Sequence, residues 1–383
     1  MVQAAATTTG IDQPGTGQPD TGLTDTSLTD TSQPGISQPG RGQRRDAGVF
    51  AALDLGTNNC RLLIGAPTSE GFRVLDSFSR IVRLGEGLQN SGMLSEPAMD
   101  RTLGALHACA ARLARRPIRG VRAIATEACR RAGNGADFLR RVRTETGLSF
   151  SVISTREEAE LALESCGPLL RGDGRRALLF DIGGGSTELA WVRLQPGRTP
   201  ELIGCDSLPV GVVTLAEHFG HHGFDPDGYQ DMVEHVAERL APFERIHCIG
   251  QEIRGGGVRS LGTSGTVTTL AGVALNLSRY RRPMVDGIEL SGEATDAALA
   301  LLRGLGRPGL AAHPCVGAER ADFVLPGCAI FEAIRGTWPV AGVTVADRGL
   351  REGMLLRMMR QQQHKRHQRP ASRHAALADV ALA

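Results

Sequence analysis

Two stretches of this 383-residue chain end an apolar run in aspartate, turn on glycine and small polar residues, and then enter a second apolar run. The first is VFAALDLGTNNCRLLIGAP, from Val49 to Pro67, and the second is ALLFDIGGGSTELAWVRL, from Ala177 to Leu194. Glycine has no Cβ and tolerates positive φ, so several backbone N–H groups at such a turn can converge on one phosphoryl oxygen. Asp54, Gly56, Thr57 and Asn58 in the first turn are therefore candidate phosphate ligands, as are Gly183, Gly184, Gly185, Ser186 and Thr187 in the second. One Gly-rich turn is more often a plain hairpin. Here Asp54 and Asp181, Gly56 and Gly183, and Leu62 and Leu189 recur at one constant offset, which argues for a duplicated phosphate-gripping unit. A third loop, SLGTSGTVTTLAGVALNL, would put Gly262, Thr263, Ser264, Gly265 and Thr266 at a helix N-terminus. Free amides there favour an anion, and an ordinary Ser/Thr N-cap accounts for the same residues.

The acids come next. Asp181 and Glu188 flank the second turn on either strand. Mg²⁺ takes a few carboxylate oxygens together with water and phosphate oxygens, so this pair suits Mg²⁺ better than a calcium or zinc cage. The plain alternative is a turn-capping aspartate and a solvated strand glutamate. In ISTREEAELALESC, Ser154 with Glu157 and Thr155 with Glu158 both fit a capping box at a helix start. One of the two glutamates can cap while the other takes a proton from a water attacking phosphorus. In ATEACRRAGNGADFLRRV, Arg130 and Arg131 are either a solvated charge run or the planar donors that neutralise a polyanion.

Composition excludes much else. Lys365 is the sole lysine. A Walker loop and a Schiff-base enzyme each need a lysine in the folded body, so anions must be met by arginine, amides or a metal. Eight cysteines occur without a C-x-x-C pair, which indicates neither a disulfide framework nor a thiolate zinc site. The net charge is +2, and without the four aspartates of residues 1–40 the remainder carries +6, too mild for a nucleic-acid binder. No apolar run approaches the roughly 18 residues that cross a bilayer. The first basic residue is Arg41, too late for a signal or transit peptide, so the expected compartment is the cytoplasm.

These groups need elements to hold them. At 22% charged and 41% hydrophobic, the length favours two globular domains. Residues 1–45, rich in Thr, Gly, Asp, Gln and Pro, read as a disordered tail. Residues 46–170 open with hairpin strands and continue with a helix over Pro97–Arg115, a strand VRAIAT, a helix over Ala136–Glu145, a strand FSVIS and a helix from about Thr155. Residues 171–360 repeat the pattern, their last helix returning to the first domain, and residues 361–383 form a polar tail. The reading is α/β, with two similar domains facing each other across an interdomain cleft.

The motifs DLGTNNCRLLI, ATEACRRAGNGADFL, ISTREEAEL, FDIGGGSTEL, LPVGVVTLAEHF and GTSGTVTTLAG, in that order, resemble the exopolyphosphatase and guanosine pentaphosphate phosphatase family. That family belongs to the actin, sugar kinase and Hsp70 ATPase fold group. The resemblance, spanning roughly Phe50 to Met359, implies two ribonuclease-H-like domains. It also implies hydrolysis of terminal phosphate from inorganic polyphosphate or from the pentaphosphate alarmone pppGpp, with Mg²⁺. It places the catalytic base on Glu158, the family arginine on Arg130, the metal-associated acids on Asp181 and Glu188, and the phosphate loop on Gly183 and Ser186. Longer members add a helical domain with an HD signature; none of the ten histidines here precedes an aspartate, so the short form is expected. The lysine that family members use on the polymer must be replaced by arginine. A homodimer is expected by analogy alone, and an actin-like nucleotide-gated scaffold would keep both turns without needing a base at Glu158.

Overall fold

The computed structural model describes residues 48–170 and 174–367. The disordered tail expected over 1–45 and the end of the polar tail lie outside them. Strands β1 (Val49–Leu55), β2 (Asn59–Thr68), β3 (Gly71–Ile81), β4 (Ile118–Ala125) and β5 (Ser151–Val152) form one sheet in the order β3-β2-β1-β4-β5. Strands β1 to β3 are antiparallel neighbours, and β4 and β5 run parallel to β1. The second sheet has the order β10-β11-β9-β6-β7-β8, from β6 (Arg176–Ile182), β7 (Thr187–Arg193), β8 (Glu201–Leu208), β9 (Val258–Thr263), β10 (Glu289–Ser291) and β11 (Gly342–Ala346). Its β6, β7, β8, β9 and β11 repeat the connectivity of β1 to β5, and β10 adds an antiparallel edge. The fold is α/β, with two ribonuclease-H-like domains.

Alternation along the strands decides what each domain buries. In β1, Ala51, Leu53 and Leu55 face a core closed by the Glu96–Ala114 and Gly135–Thr146 helices, while Phe50 and Ala52 face the other way. In β6, Leu178 and Phe180 join the core under the second domain's helices, while Ala177 and Leu179 face the other way. The outward-facing residues of both sheets meet in a third core, which they share with the Thr155–Cys166 and Leu350–His367 helices. Those two helices touch so closely that a Cβ on Gly353 would lie 2.1 Å from the Leu161 carbonyl oxygen. The final helix packs against the first domain and continues past residue 360 to His367, so the expected polar tail begins as helix. No helix among the described residues is long and apolar enough to cross a membrane.

The same alternation carries Asp54 on from Phe50 and Ala52, and Asp181 on from Ala177 and Leu179, to the ends of their strands. There the two domains part and the shared core gives way to a cleft.

Candidate active site

The cleft has a volume of about 630 Å³ and is lined from both domains. Each Asp-Gly turn projects into it. In the second turn, Val212 N–H donates to the Gly183 carbonyl at 3.0 Å and Val213 N–H to the Gly184 carbonyl at 2.8 Å. These amides open the Val212–Phe219 helix, so the turn's carbonyls are drawn backwards and the N–H groups of Gly184, Gly185 and Ser186 are left without a backbone partner among the described residues. The first turn does the same: the Thr57 carbonyl accepts from Gly85 N–H at 2.9 Å and the Asn58 carbonyl from Val82 N–H at 2.9 Å. Amides freed in this way at a glycine turn suit a phosphoryl group. The turns meet across the cleft, where a Cβ on Gly185 would lie 2.6 Å from Thr57 Oγ1 and one on Gly184 2.9 Å from Asn58 Cβ.

Five carboxylates line the cleft: Asp54, Asp181, Glu188, Glu158 and, next to Arg320 in sequence, Glu319. Asp181 pairs across strands with Glu188, and Glu188 with Ser207, so one row runs Asp181, Glu188, Ser207. The equivalent row of the first domain runs Asp54, Arg61, Ser79. Burial pushes Asp181 up to about 6, against the pull of Arg61, with Asp54 adding to the rise. Burial likewise raises Asp54 and Glu188, the latter also through Asp181. Glu188 Oε1 accepts from Ser186 and, at 3.0 Å, from Ser207. The carboxylates of Asp54 and Asp181 take no hydrogen bond or ion pair among the described residues. Half-buried like charges without such a partner call for a cation. No three Asp, Glu, His or Cys side chains among the described residues are arranged to enclose a metal by themselves. A cation here would complete its shell with water and substrate oxygens, as Mg²⁺ does.

The adjacent glutamates divide the work. Ser154 Oγ accepts from Glu157 N–H at 3.2 Å, capping the Thr155–Cys166 helix, and the Glu157 side chain pairs with Arg122 at 2.7 Å. Glu158 turns into the cleft with its side chain 8% exposed, and Arg130 Nη1 donates to its Oε2 at 3.2 Å. Burial raises the Glu158 carboxyl well above the usual range, Glu188 adds to the rise, and Arg130 opposes it.

The remaining expected residues divide between the cleft and positions away from it. Arg130 does not line the cleft; it stands behind Glu158 in a short helix, Glu127–Arg131, fixed to Glu127 at 2.7 Å and to the Ile153 carbonyl at 2.9 Å. Thr187 and Gly262 have the strand parity that points away: Thr187 Oγ1 donates to the Val210 carbonyl, and a Cβ on Gly262 would strike the Phe180 ring at 2.6 Å. Thr263 Oγ1 donates to the Arg348 carbonyl at 2.7 Å. In the third loop, Ser264, Gly265 and Thr266 line the cleft, but Ser264 Oγ already accepts from Thr266 and Val267 N–H, so the loop caps its own helix.

Sequence reasoning missed Arg61, Arg80 and Arg320, which line the cleft and have no carboxylate ion pair among the described residues. Arg320 is held by the carbonyls of Val316 and Cys315 and by Thr269 Oγ1, all neutral acceptors. The signal for Arg61 was available: it opposes Asp54 across a two-residue-period hairpin.

Comparison with known proteins places this arrangement. The family model described as the Ppx/GppA phosphatase family matches residues 63–362. This chain belongs to the Ppx/GppA phosphatase family. Among Ppx/GppA relatives, the guanosine-5'-triphosphate,3'-diphosphate pyrophosphatase of Aeromonas hydrophila is 32% identical over 310 residues, covering 80% of this chain. The match spans only 58% of that relative's length. A Haemophilus influenzae relative is 30% identical over 318 residues, 82% of this chain and 92% of its own. The solved exopolyphosphatase from Cytophaga hutchinsonii superposes with a TM-score of 0.72 at 26% identity, covering 82% of this chain and 98% of that one.

Proposed function

We propose that this Ppx/GppA protein hydrolyses the terminal phosphoanhydride bond of inorganic polyphosphate and releases orthophosphate. The observation that carries the reading is the position of Glu158, a buried carboxylate held at one oxygen by Arg130 in the same cleft as two turns with freed amides. The pentaphosphate alarmone pppGpp presents the same terminal bond and is the alternative substrate.

The amides of Gly184, Gly185 and Ser186 and those of Thr57 and Asn58 hold the terminal phosphoryl oxygens. Arg61, Arg80 and Arg320 offset the charge of the phosphates that follow, in place of lysine. Asp181 and Glu188, with Asp54 beside them, would hold Mg²⁺, which when bound draws charge from the phosphoryl oxygens. Glu158 takes a proton from a water in line with the bond to be broken, and Arg130 keeps that carboxylate turned towards it. Phosphoryl transfer depends chiefly on positioning and electrostatics, so these groups suffice without a covalent intermediate.

The test is phosphate release by purified protein from long polyphosphate, tripolyphosphate and pppGpp, with and without Mg²⁺. Mg²⁺-dependent release from polyphosphate is expected. Exclusive release from pppGpp would move the assignment to the alternative, and no release from any of the three would overturn the hydrolase reading.

A further inference from the structure

We propose that Thr126 is a further catalytic residue, whose hydroxyl holds the second hydrogen of the water that Glu158 deprotonates. The inference extends the hydrolase reading and depends on it. Thr126 follows β4, is 5% exposed and lines the cleft together with Glu158. Its N–H donates to the Leu55 carbonyl at 3.1 Å, immediately before the first phosphate turn. The carbonyl of its neighbour Ala125 accepts from Ile153 N–H at 3.2 Å, where the chain enters the Glu158 helix. Thr126 is thereby tied between the phosphate turn on one side and the base on the other.

The backbone of Thr126 is fully used, since its carbonyl also accepts from Arg130 N–H at 3.0 Å. Its side chain is not. Thr126 occupies the N-cap position of the Glu127–Arg131 helix, where a threonine hydroxyl ordinarily accepts from a backbone amide, yet it makes no such bond. Nor does the hydroxyl bond to any other group among the described residues. The hydroxyl is unpaired yet not sealed from solvent, so it opens on the cleft, where a water or a phosphoryl oxygen can complete it.

A water attacking in line must aim one lone pair at phosphorus. Glu158 accepts one of its hydrogens, and a second acceptor fixes the rotation that remains. The Thr126 oxygen has lone pairs for that hydrogen, and its own hydrogen can donate to a phosphoryl oxygen. In the step, the water oxygen bonds to phosphorus, the bridging P–O bond breaks with its electron pair leaving on the shortened chain, and one proton passes to Glu158.

The test compares Thr126→Val, Thr126→Ala and Thr126→Ser in Mg²⁺-dependent phosphate release. Loss of the hydroxyl should lower kcat roughly 10- to 100-fold, with KM, melting temperature and the midpoint of the acidic limb of the pH profile at wild-type values. Thr126→Ser should retain most of the turnover. Wild-type kcat in the valine and alanine variants, or equal losses with serine and valine, would overturn the proposal. So would a loss accompanied by a displaced acidic limb, because Thr126 would then only prop Arg130 against Glu158. An inactive wild-type protein would overturn the hydrolase reading first, and needs no variant to detect.

Discussion

At the scale of single residues, the cleft sets buried carboxylates against function. Glu158→Gln removes the proton acceptor and keeps the shape, so kcat should fall about 10²- to 10⁴-fold with polyphosphate binding retained; unchanged turnover would remove Glu158 from its role. Because burial raises the Glu158 carboxyl and only its ionised form accepts a proton, activity should be lost as pH falls through a limb above the ordinary glutamate range. Arg130 opposes that rise, so Arg130→Met should move the limb to still higher pH, as read from kcat/KM profiles. Asp181 makes a linked statement about stability. Its carboxyl is raised to about 6 in the fold, so the folded state holds its proton where the unfolded chain has lost it. Stability is therefore full below pH 4 and is lost as pH rises through about 6, by up to about 3 kcal/mol. In metal-free buffer Asp181→Asn should melt above wild type at pH 7.5, the gap should narrow near pH 4.5, and phosphate release should be lost. Equal melting temperatures at both pH values would count against the assigned burial.

At the scale of elements, the sheets and turns were legible because their signals are local. An apolar run ending in Asp-x-Gly is a strand and a turn wherever it occurs, and its recurrence announced the duplication. The capping box at Ser154 was equally plain, and the structure separates its two glutamates by sending Glu157 to Arg122. What escaped notice was set by partners far along the chain. Ser207 matters because β8 lies beside Glu188, and Arg320 because the start of the Ala321–Thr337 helix, which it caps, reaches the cleft. Motif alone puts Thr187 and Gly262 at the phosphate, whereas strand parity, countable from Asp181 and from Leu261, turns them away. The turns themselves are testable. Gly185→Ala adds a Cβ 2.6 Å from Thr57 Oγ1 at a backbone conformation that alanine tolerates, so the two turns must separate. A misplacement of that size should cut kcat/KM for polyphosphate by roughly 10²-fold, with circular dichroism unchanged.

At the scale of the whole molecule, the core shared by both sheets with the Thr155–Cys166 and Leu350–His367 helices joins the domains. Neither domain can unfold without exposing it, so calorimetry should show one transition whose van't Hoff and calorimetric enthalpies agree. Two resolved transitions would refute the joint. Gly353→Ala, which meets the Leu161 carbonyl at 2.1 Å, should lower that single transition as a whole, at a cost of about 1–3 kcal/mol. The paired rows across the cleft carry a further consequence. One strand position holds arginine in the first copy, at Arg61, and glutamate in the second, at Glu188. Two faithful copies would greet a linear polyanion identically from either direction. Inverting the sign at one place gives the passage a head and a tail, and the proposed removal of units from a free end needs such a vector.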